Sequence, residues 1–117
     1  MRQILSANAL ENLIKELKFL LNYAEKVYSA YINNNKEFIY SKVLFGINED
    51  INKLVKNNIL LFSKEKHIDA VELIFHIDIW KNIWLDEFEK QKPQGRDIFT
   101  FPNKITFPNK SVDRLLS

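Results

Sequence analysis

Leu10 to Tyr31, LENLIKELKFLLNYAEKVYSAY, is the stretch that decides the fold. Its apolar residues Leu10, Ile14, Leu17, Leu21, Ala24, Tyr28 and Tyr31 are spaced 4, 3, 4, 3, 4, 3. That alternation keeps side chains on one face of a helix and is the pattern of a bundle seam. Leu13, Leu20 and Val27 lie beside the seam and widen it into a stripe. Asn8, followed three residues on by Glu11, reads as a capping box that starts the helix. Asn33, Asn34 and Asn35 end it, because Asn tolerates left-handed backbone and competes for local hydrogen bonds.

The same alternation returns at Tyr40, Leu44, Ile47, Ile51, Leu54, Asn58 and Leu61, which predicts a second helix from about Lys36 to Leu61, continuous through Gly46. A third is expected from Ser63 to about Gln91. Its seam is Ala70, Leu73, Ile77, Trp80 and Trp84, while Ile68, Val71, Phe75, Ile79 and Ile83 cover much of its remaining circumference. A helix apolar on most sides is expected to be buried on most sides, so this one is the candidate central element. Glycine and proline are absent between Gly46 and Pro93, which favours long helices over strands and turns.

Lys92-Pro93-Gln94-Gly95 stops the helical region, and the chain beyond differs in kind. From Ile98 to Phe107 it alternates, with Phe99, Phe101, Ile105 and Phe107 on one parity, which means extended backbone. Thr-Phe-Pro-Asn-Lys at 100–104 recurs at 106–110. A small hairpin about Pro102-Asn103 fits the turn preference of Pro-Asn, and a short helix is expected from Ser111 to Leu116. The echo reads either as paired docking motifs or as two bends of a tail that tucks its phenylalanines onto the bundle. Two copies are too few for a repeat architecture, which needs about three stacked units.

The expected fold is therefore all-α: an up-down-up bundle of three long helices over residues 1–92, and an extended, hairpin-like tail over 93–117 packing on it within the same domain. At 117 residues the chain is one domain's worth. Apolar residues make up 46% and charged residues 27%, as in a globular protein rather than a disordered one. The longest uncharged run, Val27 to Asn35, is nine residues, far short of the ~20 that a membrane span needs. Met1 to Leu13 lacks a signal-peptide core, so a cytoplasmic protein without membrane contact is expected.

Catalytic equipment is scarce. There is no cysteine to serve as nucleophile or metal ligand, and two isolated glycines cannot build a phosphate-binding loop. His67 and His76 fall on opposite sides of their helix. Asp69, Glu72 and His76 do share a face, which allows two or three ligands of a metal site or a carboxylate-held imidazole. A solvated stripe is the simpler reading, so neither an enzyme nor a bound cofactor or metal is expected. A basic cluster, Lys53, Lys56, Lys64, Lys66 and His67, with Lys104, Lys110 and Arg114 beside tail phenylalanines, has the makings of a single-strand nucleic-acid surface. The small net charge of +2, with both signs interspersed, argues against it.

What remains is surplus apolar area. Phe19 and Tyr23 lie off the first seam, Phe38 and Phe45 off the second, and Phe101 and Phe107 are on the tail. These six are the expected interface of a non-catalytic protein-binding module, a self-associating accessory or regulatory subunit or one that joins a larger partner.

Overall fold

The protein is described by a computed structural model covering residues 2–102 and 105–117, with side chains from residue 8 onward. It is all-α: α1 (Arg2–Asn33), α2 (Phe38–Asn57), α3 (His67–Gln91) and α4 (Asn109–Leu116). Two 3-10 turns, Ile59–Leu61 and Lys64–Lys66, join α2 to α3. Among the described residues no strand forms, only an isolated bridge between Glu37 and Ile98. The hairpin expected about Pro102-Asn103 has its centre outside the described residues.

α1 starts earlier than its apparent cap. Asn8 lies inside the helix rather than at its head, so the Asn8–Glu11 pair is not a capping box. The buried line of α1 is also displaced from the expected seam. Leu13, Leu17, Val27 and Tyr31 are buried, with Leu20 and Ala24 partly so, whereas Tyr28 is exposed. Both lines have heptad spacing, and the flanking leucines win because they face α2. Asn35 and Lys36, both at positive φ, reverse the chain in a tight turn, and α2 folds back along α1. α2 runs unbroken through Gly46, which faces open space rather than a neighbouring helix.

α3 keeps its Ala70, Leu73, Ile77, Trp80 and Trp84 seam fully in the core. It is not enclosed, however. Ile68, Phe75 and Ile79 are 65%, 62% and 47% exposed. Among the long helices α2 has the more extensive packing, chiefly on α1 and then on α3.

The segment from Lys92 to Phe101 acts as a strap. Lys92 takes the left-handed conformation at the end of α3, and its N–H returns to the Phe88 carbonyl. The first turn of α2 has no side-chain cap, so its orphan donors need partners. The strap supplies them: the Asp97 carbonyl accepts the Phe38 N–H at 2.7 Å and the Gly95 carbonyl accepts the Ile39 N–H at 3.0 Å. Gly95 sits at φ +55°, the region where a side chain is strained, and this turn aims its carbonyl at the helix. In return the Lys36 carbonyl accepts the Phe99 N–H at 2.9 Å.

Phe99 and Phe101 then close an aromatic core with Phe38, Phe45, Trp80, Trp84 and Phe88. Phe99 meets Phe38 edge-on at 5.5 Å and Trp84 at 5.5 Å, and Phe101 stacks on Tyr31 at 5.8 Å while meeting Trp80 edge-on at 5.6 Å. The strap thus bridges α1 and α3. The first copy of the echoed pentapeptide begins at the end of the strap, with Thr100 and Phe101, and the second opens α4, with Pro108 as the residue preceding the helix.

Candidate functional site

Three places gather the residues that the sequence singled out: the α3–α4 seam, a groove beside it, and the outer faces of α1 and α3. The α3–α4 seam holds Asp69, Glu72 and His76. α4 lies antiparallel to α3 in strict register. His76 meets Phe107 edge-on at 5.2 Å, Glu72 accepts a hydrogen bond from Ser111 Oγ, and Asp69 accepts from Arg114 Nε at 3.0 Å and forms an ion pair with its Nη2 at 2.9 Å. One step further, Lys66 Nζ donates to the Ser117 carbonyl. The positions 69, 72 and 76 on α3, with 66 in the turn just before it, are met by 114, 111, 107 and 117 on the tail, as antiparallel helical surfaces require. Asp69 is buried and its charge is matched by a guanidinium whose other face is in water. The two carboxylates are therefore engaged in docking α4, and among the described residues no cluster of three metal-ligating side chains occurs.

His76 lines the groove, about 520 Å³, that lies between α1 and α3 above the floor of α2. Leu21, Tyr28, Leu44, Trp80, Ile105 and Leu116 supply much of its apolar wall. Burial lowers the pKa of His76, and a hydrogen bond to the Thr106 backbone offsets this in part. The unfolded chain therefore takes up a proton at this site before the folded one. Stability should be level at and above neutral pH and fall as pH drops below about 6.5, the ordinary histidine value. Urea midpoints at pH 7.5 and 5.5 measure this, and His76→Gln should flatten the slope between them. An equal slope in that variant would assign the pH dependence to other groups.

The expected interface residues divide. Phe19 and Tyr23 are exposed and in ring contact, with centroids 6.1 Å apart. Phe107 is 37% exposed. Phe38 is buried, while Phe45 and Phe101 pack into the aromatic core. Phe45 lies 4.5 Å from Trp84 and has the Lys81 ammonium over its ring. Phe38 faces inward, whereas Phe45 and Phe101 are half-buried and keep part of their surface in water. The Tyr31 hydroxyl, which donates to the Phe99 carbonyl, has its pKa pushed up to about 12, chiefly by burial and then by Tyr28.

The lysines are dispersed in role. Lys56 pairs with Asp78 at 3.8 Å and Lys66 is held by Ser117, whereas Lys53, Lys64 and Lys110 are exposed. Lys104 lies outside the described residues.

The outer face of α3 departs from the burial expected of it. Ile68, Val71, Phe75 and Ile79, spaced 3, 4, 4, form an apolar line that the structure leaves largely open. No helix among the described residues is long and apolar enough to cross a membrane.

Compared with known proteins, the chain matches no family model, no curated protein and no solved structure. The functional reading accordingly stands on this geometry alone.

Proposed function

We propose that the chain is a non-catalytic protein–protein interaction module that associates with a second copy of itself, in the role of a cytoplasmic accessory or regulatory subunit. The observation that carries this is the apolar line on α3, where Ile68, Phe75 and Ile79 stay open to water although the strap and α4 have both packed. Single exposed apolar residues are ordinary on a soluble protein. A contiguous line along one helix is not, because water penalises it in proportion to its area and a partner removes that penalty. The carboxylates that suggested a metal site are occupied by Ser111 and Arg114, which supports the non-catalytic reading. The nucleic-acid reading has less behind it, since Lys56 and Lys66 are committed within the chain.

Sedimentation velocity over low-micromolar to near-millimolar protein is the direct test. The weight-average mass should climb from that of one chain towards that of two. A mass fixed at one chain throughout that range would overturn self-association.

A further inference from the structure

We infer that the outer face of α3 is a homodimer contact in which two copies pair antiparallel about a two-fold axis at Phe75. This deepens the self-association proposed above and rests on it. Ile68, Val71, Phe75, Ile79, Asn82 and Asp86 follow one another at spacings of 3, 4, 4, 3 and 4, so they form a single line along the helix opposite the Ala70–Trp84 seam. Ile68, Phe75 and Ile79 on this line are exposed, the kind of apolar helical stripe that another helix can cover.

Its ends carry opposite charge. Lys64 stands just ahead of α3 and Asp86 lies in its penultimate turn. Both are exposed, and among the described residues neither makes an ion pair. An antiparallel pair centred on Phe75 brings Lys64 of one copy level with Asp86 of the other. It sets Ile68 level with Asn82, Val71 level with Ile79, and Phe75 against its own image. A parallel pair would instead place like charges together and align the helix dipoles unfavourably. Isologous contacts of this kind need a self-complementary patch, and the register centred on Phe75 supplies one by setting Lys64 level with Asp86.

The acids that flank the line are turned away from it. Glu72 is drawn to Ser111 on α4, and Asp78 is drawn to Asn52 and Lys56 on α2. The line between them is left free of fixed charge, as the desolvated centre of an interface requires. α3 is 25 residues long, or ~37 Å at ~1.5 Å per residue. One helix pair of that length falls below the roughly 1,200–2,000 Å² of standard interfaces. The dimer is therefore a concentration-dependent one.

The test compares two surface variants with the wild type in sedimentation, with circular dichroism as the check on folding. Phe75→Glu should weaken dimerisation at least about tenfold, as loss of a central aromatic anchor does. Phe19→Glu, on the other exposed aromatic patch, should leave it unchanged. In a chain without native cysteine, Phe75→Cys should be captured as a dimer by a short bismaleimide and Phe19→Cys should not. If the wild type dimerises and Phe75→Glu dimerises equally well, or Phe19→Cys is the variant captured, the α3 contact is overturned while self-association stands. A wild type that stays monomeric overturns both.

Discussion

Phe99→Ala is expected to cost about 3–5 kcal/mol of folding stability, the loss usual for truncating a buried phenylalanine, and so to remove much of the margin of an ordinary small domain. Phe99 has no exposed surface and touches Phe38, Trp84 and Phe101, side chains from α2, α3 and the strap itself. Collapse into the gap is hindered, because the strap backbone is pinned on both sides of the ring. The Phe99 N–H is held by the Lys36 carbonyl and its carbonyl by the Tyr31 hydroxyl. The strap cannot simply swing out either, since its carbonyls at Gly95 and Asp97 serve the first turn of α2. The loss should therefore be cooperative, with an earlier urea midpoint and an unchanged slope. Phe107→Ala, the matching truncation at a part-exposed ring, should cost less than about 1.5 kcal/mol. Equal losses for the two would mean that the strap is not part of the core.

The legible and illegible parts of this fold differ for a physical reason. Periodicity reports which residues share a face of a helix; it does not report what covers that face. The Ala70–Trp84 seam is readable because a heptad line and a helix–helix contact are the same geometric fact, whereas α1 carries two adjacent heptad lines and the pattern alone does not choose between them. Whether the second line on α3, through Ile68 and Phe75, meets a neighbour depends on where α4 and the strap land, and those segments are placed by pairings dozens of residues apart in the chain. Phe38, Phe45 and Phe101 were assigned to an interface for the same reason. Each lies off its helical seam or on the tail: the strap's return to the α1–α2 turn covers Phe38 with Phe99 and brings Phe101 onto Tyr31 and Trp80, while Phe45 packs on Trp80 and Trp84 of α3. Asp69, Glu72 and His76 were correctly placed on one face. Their partners at Arg114, Ser111 and Phe107 repeat the spacing in reverse, a signal present in the sequence but meaningful only once two helices are known to run antiparallel. Asn8 misled because a capping motif is a local preference, and a helix can continue through it.

Leu115→Ala should produce the second large effect, and one of a different kind. Leu115 has no exposed surface, and its truncation removes about 2–5 kcal/mol of packing by the usual measure. α4 has only eight residues, too few to be helical without tertiary support, since isolated helices below ~12–15 residues are marginal in water. It is held by Leu115 and Val112 on its apolar side and by the Ser111–Glu72 and Arg114–Asp69 hydrogen bonds on its polar side. Phe99 lies in a strap fastened at both ends, whereas α4 packs chiefly on α3 and adds little to the contacts among the three long helices. It can therefore peel away while the three long helices stay folded, and the stability lost cannot exceed the free energy with which the segment docks. Hydrogen exchange on Leu115→Ala should show the α4 amides nearly unprotected, with α1, α2 and α3 close to wild type. The thermal midpoint should fall by less than in Phe99→Ala. If α4 stays protected, Leu115 is not its anchor; if protection is lost throughout the bundle, α4 is not a separable unit, and the antiparallel seam with α3 is part of the cooperative core.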